Sequence, residues 1–293
     1  MIRTYKATGI NLKSALIGES DRVLTVLTRE FGLIRAVAPG VRKHRSKMGG
    51  RSELFVVNEL LIAKGRSLDK ITQAETVESY PGLSRNLGKL ASAQYLAELA
   101  IATAFSEQPQ EELFCLLSEH LSRLERLPDR TETDSVTLVM AHLAQGIFHL
   151  LALAGLAPQV QVCCVTGHPL IPNFTVPDWK IGFSISSGGT LSLSEFANLE
   201  AERQAEMGSF YKSAASSSPK NSRSKHLTNI YINAGELTAF QQLASAELAA
   251  GGIADRTAWV SVENILRQYA QYHLGCVIRS GSSIDSYLET FEF

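Results

Sequence analysis

The residues of this sequence best suited to chemistry are a run of cations, and the chemistry they suit is electrostatic rather than covalent. No acidic residue lies between Glu30 and Glu53, so the run is not neutralised from within. Several cations on one connection can follow a phosphate backbone, because each neutralised phosphate releases counterions. A solvated charged loop without a ligand is the alternative interpretation. The candidate phosphate-binding residues are Arg35, Arg42, Lys43, Arg45, Lys47, Arg51, Lys64 and Arg66.

The distribution of charge along the chain supports the phosphate interpretation. The formal net charge is −1, from 28 Lys and Arg against 29 Asp and Glu, and the hydrophobic fraction of 45% is that of a globular protein. The first 80 residues hold 14 basic and 8 acidic residues, a net charge of +6, while the other 213 hold 14 and 21, a net charge of −7. Such asymmetry indicates a partner of opposite sign for the basic part.

Aromatic side chains are few in the basic part of the chain. Proteins that bind single strands usually stack bases on aromatic platforms, and residues 1–80 offer Tyr5, Phe31, Phe55 and Tyr80. Phe31 and Phe55 suit a hydrophobic core equally well. We therefore expect the protein to bind the phosphate backbone of the nucleic acid and to leave the bases free.

Signals of enzymatic, membrane or exported proteins are missing from the sequence. It contains no Walker A loop, GxSxG, HExxH or GxGxxG motif, which predicts a protein without catalytic activity. The most apolar stretch, 136–157, carries His142, Gln145 and His149, so we expect a buried helix rather than a membrane span. The four cysteines show no disulfide spacing and no signal peptide is evident, which favours the cytoplasm.

The elements that must position the cations are short strands. Apolar runs separated by glycines predict five of them, at 4–12, 22–28, 32–39, 52–63 and 70–78. Five strands in about 80 residues indicate a small barrel. An SH3-like barrel is one candidate, but the long connection between the third and fourth strands suits an OB-fold. Most of the cations lie on that connection.

After residue 80 the apolar period changes to that of helices. Three- and four-residue spacing predicts helices at 83–102, 110–126, 136–156 and 258–277. An irregular insert at 161–210 contains a predicted hairpin that pairs 181–185 with 190–193. The expected organisation is α+β, with a barrel at 1–80, a helical domain at 81–160 and 226–293, the insert, and a flexible serine-rich loop at 211–225.

Three segments together resemble the RecO family of bacterial recombination mediators, and the first of them has two parts, 18–32 and 36–42. They are GESDRVLTVLTREFG at 18–32, AVAPGVR at 36–42, LAGLAPQ at 153–159 and LRQYAQYHLG at 266–275. Each motif is modest alone, but their order and spacing cover nearly the whole chain. The resemblance implies an N-terminal OB-fold, a helical domain and a small metal-ribbon-like insert.

The resemblance also implies a function in DNA repair and recombination. Members of this family bind single- and double-stranded DNA and anneal complementary strands. With RecR, and in some lineages RecF, they load RecA onto DNA covered by single-strand-binding protein, whose acidic-hydrophobic tail they contact. A protein-interaction adaptor and an OB-fold RNA-binding factor are the alternatives, and a hydrolase without a recognisable motif is a further one.

One departure from the family concerns a metal. Many members carry two CxxC pairs, whereas alignment with them leaves Cys163 at the first ligand position and Thr166 at the second. Ser192 and Glu195 fall at the positions of the other pair. Because a closed zinc site needs four ligands, we expect no structural zinc and no other cofactor.

Overall fold

The N-terminal strands close into a barrel. The computed structural model describes residues 4–44, 46–128, 133–202, 229–248 and 255–291. The barrel order is β1-β2-β3-β5-β4, with β1 paired to β4, and every pair is antiparallel except β3 with β5. This is an OB-fold, and the predicted α+β class is confirmed. The strands are β1 (Thr4–Ile17), β2 (Asp21–Thr28), β3 (Gly32–Ala38), β4 (Val56–Ala63) and β5 (Asp69–Ser79).

Strand β1 closes the barrel because it is long enough to serve two neighbours. Its first half pairs with β4 and its second half with β2, and the register shifts between Asn11 and Lys13. Gly9 lies where the two pairings overlap. A Cβ at Gly9 would lie 2.6 Å from a methyl carbon of Val26, so only glycine fits there without movement. The sequence predicted this strand only as far as residue 12.

The barrel and the helices share a hydrophobic core. Leu12 and Phe55 belong to the same buried cluster as the helical residues Leu96 and Leu117. The turn between β2 and β3 is joined to the segment between the first two helices, because Phe31 O accepts from Glu107 N–H at 3.0 Å and Leu33 N–H, at the start of β3, donates to Phe105 O at 2.9 Å. These bonds attach the barrel to the helical part of the chain.

The helical part contains the four predicted helices and three more. In the described chain three short helices were not predicted, because short helices give weak periodicity. They lie at 193–202, Ala234–Gln242 and Gly281–Glu289. Helix α3 carries the most apolar stretch, Ser135–Leu153, long enough for a membrane span but 67% buried within the protein. The helices are α1 (Leu87–Thr103), α2 (Glu111–Arg126), α3 (Thr133–Leu153), α4 (193–202), α5 (Ala234–Gln242), α6 (Arg256–Leu274) and α7 (Gly281–Glu289).

A second sheet contains the predicted hairpin. Strand β6 (Lys180–Ser184) pairs with β7 (Gly189–Leu191), and Phe183 faces Thr190 in the ladder. A third strand, β8 (Asn229–Asn233), pairs with the other edge of β6. It lies in a segment that the sequence assigned to helices. The predicted flexible loop at 211–225 lies outside the described residues.

A buried ion pair within α6, between Glu263 and Arg267, is linked to α7 because Arg267 also pairs with Asp285. Arg267 lies 2.8 Å from a Glu263 oxygen and 2.7 Å from Asp285, and it also donates to Gly281 O. Glu263 is fully buried, and within the described chain neither of its oxygens accepts a well-directed hydrogen bond. Burial raises the pKa of Glu263 to about 7, although the charge of Arg267 opposes the shift.

The raised pKa of Glu263 predicts a pH effect on stability. The folded state holds the proton between the usual carboxyl pKa of 4.5 and about 7. Stabilisation from the neutral carboxyl is thus complete below pH 4.5 and is lost as pH rises through 7. Glu263→Gln imitates the neutral form at every pH. In urea unfolding, the stability of Glu263→Gln relative to the wild type should rise between pH 4.5 and about 7. Parallel pH profiles of the two proteins would contradict a raised pKa of Glu263.

Candidate nucleic-acid interface

The connection between β3 and β4, residues 39–55, begins against the turn between β1 and β2. The backbone N–H of Gly40 donates to the Asp21 carboxylate at 2.8 Å. The backbone N–H of Arg42 donates to Ser20 O at 3.1 Å, and its guanidinium donates to Glu19 O at 3.0 Å. These bonds fix where the chain leaves the barrel.

The same connection ends on two buried asparagines. Asn11 on β1 donates to the carbonyls of Arg51 and Glu53 at 2.8 and 2.9 Å, and Asn58 on β4 donates to Arg51 O at 2.9 Å. Both asparagines are wholly buried. Because buried polar groups need partners, these contacts hold the end of the connection to the barrel wall.

The cations between the two anchors face solvent. Lys43 and Lys47 are exposed and Arg51 is half-buried. Among the described residues, none of these three lies within ion-pair distance of a carboxylate. Arg45 lies outside the described residues.

Arg35 and Lys64 line a groove of about 660 Å³, which we name the first groove. It runs between the start of β1, β3, the β4–β5 turn and residues 106–107. Arg35 is exposed on β3, and Lys64 lies 3.8 Å from Asp69. Arg66 is exposed on the same turn but outside the groove lining. The first groove therefore combines two of the predicted cations.

An aromatic pair also lines the first groove. The rings of Tyr5 and Phe31 pack edge to face with centroids 4.8 Å apart. The Tyr5 hydroxyl donates to Asp69. Burial and this bond to a carboxylate raise the pKa of Tyr5 well above its usual value. Tyr5 is thus held as a neutral donor, and its ring supports Phe31.

Lys47 and Arg51 line a different groove of about 840 Å³, the second groove. Three carboxylates share this groove, those of Glu30, Glu59 and Glu75. Glu59 and Glu75 face each other directly across β4 and β5. Lys6 lines the second groove as well, so it holds three cations and three carboxylates, just as the first groove holds Arg35 and Lys64 with Asp69 and Glu107. Charge alone therefore does not rank one groove above the other as a path for a nucleic-acid backbone.

Lys70 lies near the candidate cations, although the sequence did not indicate it as one of them. It pairs with Val37 across the parallel β3–β5 ladder, and both it and Arg35 point outward. Hydrogen bonds from Gly40 and Ser20 lower the pKa of Asp21, and the charges of Lys43 and Lys70 contribute to this shift. Lys70 therefore lies between the connection and the first groove. Only the β3–β5 register brings Lys70 close to the other cations, and that register cannot be predicted from residue spacing along the chain.

The four positions aligned with the family's metal ligands lie close together in the insert. The Cys163 sulfur accepts a hydrogen bond from Ser192 N–H at 3.4 Å, and Ser192 Oγ accepts one from Glu195 N–H at 3.4 Å. Burial raises the pKa of Cys163, but hydrogen bonds from Thr166, Ser192 and Val165 lower it to about 7 overall. Within the described ranges no group of three His, Cys, Asp or Glu residues is placed so that it could hold a metal ion. This donor set does not fit zinc.

Comparison with known proteins gives one consistent result. Residues 1–80 match the family described as "Recombination protein O N terminal", and residues 84–190 match "Recombination protein O C terminal". A protein named DNA repair protein RecO from Nostoc sp. strain PCC 7120 is 54% identical, over 98% of this chain and 97% of its own length. Proteins of the same name from Trichodesmium erythraeum and Gloeobacter violaceus are 52% and 36% identical, over 99% and 97% of this chain and 96% and 93% of their lengths.

Proposed function

This chain belongs to the RecO family of DNA repair and recombination proteins, and we propose that it binds single- and double-stranded DNA through its barrel and anneals complementary strands. The observation that carries the proposal is the β3–β4 connection. It is fixed at both ends and presents Lys43 and Lys47 to solvent. Such an arrangement can hold phosphates without reading bases.

Annealing follows from charge neutralisation, without a covalent step. Two DNA strands repel each other through their phosphates. Cations that neutralise phosphates on both strands lower this repulsion and raise the local concentration of one strand near the other. We propose that Arg35, Lys43, Lys64 and Lys70 contribute from the barrel surface, which leaves the pairing edges of most bases free.

Family membership supports a set of partners for the proposed activity. We propose that the chain acts with RecR, contacts the C-terminal tail of single-strand-binding protein, and helps to load RecA onto single strands covered by that protein. RecF is a further proposed partner in this pathway. The compartment that fits these partners is the cytoplasm, at the nucleoid.

Annealing of strands covered by single-strand-binding protein tests this function. We expect the chain to accelerate annealing, and we expect RecR to change the annealing rate. Rising salt should suppress annealing. Weak DNA binding that hardly depends on salt would instead indicate a protein-interaction adaptor. A clear preference for RNA over DNA of the same sequence would indicate an RNA-binding factor that contacts the 2′-hydroxyl.

We also propose that the insert folds without a metal. Residues at the family's other metal-ligand positions, Thr166 and Ser192, form hydrogen bonds with Cys163. A chelator should therefore leave the thermal midpoint unchanged, and the purified chain should contain no stoichiometric zinc. Cys163→Ser should lower stability by about 1 kcal/mol, the size of a lost buried contact. A large drop in the thermal midpoint on chelation would contradict this proposal.

A further inference from the structure

We propose that Phe31 is a stacking platform for one unpaired base of a single strand, with Arg35 and Lys64 holding the adjoining phosphates. This inference rests on the proposed binding of DNA by the barrel. All three residues line the first groove, and Phe31 remains 36% exposed although it packs against Tyr5. An aromatic ring and two cations in one groove complement what one nucleotide presents, a flat base and charged phosphates.

The backbone of Phe31 is held on both sides, which makes the platform rigid. Its N–H donates to the Thr28 hydroxyl at 3.1 Å, and its carbonyl accepts from Glu107 N–H at 3.0 Å. Gly32 follows with φ at 63° and approaches so closely that a Cβ there would lie 2.1 Å from Phe105 O. Because its backbone is fixed and its ring packs against Tyr5, Phe31 loses little conformational freedom when a base binds.

The dimensions of the first groove suit a nucleotide, and its charges set how a nucleotide would lie in it. Its volume of about 660 Å³ falls within the range of roughly 300–1,000 Å³ that is usual for small-molecule sites. The Asp69 carboxylate accepts hydrogen bonds from the Tyr5 hydroxyl and from Gly65 N–H, and it pairs with Lys64. The carboxylate of Glu107 also lines the groove and would repel a phosphate. The base therefore faces the Glu107 wall and the backbone follows the cations.

Stacking of this kind distinguishes single strands from duplex. A paired base is already stacked between its neighbours and must be extruded before it can reach a ring. The first groove thus supplies a contact that only an unpaired strand uses, whereas the cations of the β3–β4 connection serve both forms. The proposal differs here from the expectation from the sequence that all bases remain free, because it assigns a contact to one unpaired base.

Phe31→Leu in the full chain tests the inference, because leucine keeps an apolar contact with Tyr5 but has no aromatic face. Phe105→Leu is the matched control, since Phe105 is 63% exposed on the neighbouring segment and lines another groove. Binding to a single strand and to a duplex is measured between about 50 and 200 mM salt. We expect Phe31→Leu to weaken single-strand binding roughly tenfold, with duplex affinity and the salt slope unchanged. Phe105→Leu should match the wild type, and Phe31→Trp should retain binding.

The outcomes separate this inference from the proposed function. Wild-type affinity of Phe31→Leu for single strands would overturn the platform while leaving DNA binding intact. Equal losses on single strands and duplex would overturn it too, because they would show that Phe31 only supports the barrel. Wild-type protein that binds neither form with salt dependence would refute both the proposed function and the platform.

Discussion

Arg267→Met is expected to lower the free energy of unfolding by about 3 kcal/mol at neutral pH. Arg267 is the ion-pair partner of Glu263, which is fully buried, and it also links α6 to Asp285 and Gly281 at the start of α7. Removing it leaves a carboxyl without a counterion in the core. The protein then either keeps an unpaired charge or protonates Glu263, and both weaken the folded state.

A double variant controls for the loss of packing. Glu263→Leu combined with Arg267→Met removes both charges and keeps the volume similar, so it should recover most of the lost stability. Urea unfolding measured by circular dichroism gives the free energies. Because low pH neutralises Glu263, the deficit of the single variant should shrink toward pH 4.5. A single variant as stable as the wild type would show that the ion pair does not hold α7 in place.

Replacing Arg42, Lys43, Arg45 and Lys47 together with alanine is expected to weaken DNA binding of all sequences alike. Each lost phosphate contact should reduce the slope of log K against log salt by about one unit. The four replacements should therefore lower the slope by up to about four units. At moderate salt the affinity should fall by roughly two orders of magnitude or more.

Cations outside the barrel provide the control for this prediction. Arg85, Arg126 and Arg279 are exposed in the helical part of the chain. Their replacement by alanine removes three positive charges but should leave the salt slope unchanged. If both variants lower the slope equally, net charge alone controls binding. A quadruple variant with the wild-type slope would remove the β3–β4 connection from the interface.

The barrel could be predicted from the sequence because its determinants are local. Alternating apolar residues and glycine turns identified all five strands, and β2 and β4 end at the residues expected. The long basic connection followed from the gap between the third and fourth strands. The four longest helices followed from their apolar stripes in the same way.

Features that depend on contacts distant in sequence could not be predicted. Strand β8, which begins at residue 229, pairs with β6, and no local sequence pattern predicts that pairing. The proximity of Lys70 to Arg35 comes from the β3–β5 register. Phe31 could equally have been a core residue until the turn was placed beside residues 105–107. Complete burial of Glu263 likewise depends on how α6 packs against other helices, although α6 itself was predicted.

The most direct test of the central claim is the salt dependence of DNA binding by the unmodified protein. We predict that log K for single- and double-stranded DNA falls linearly with log salt, with a slope of several units for both. That result would mean that cations on the protein displace counterions from the backbone. A slope near zero, or tight binding that persists at high salt, would contradict the claim that this barrel holds DNA through its phosphates.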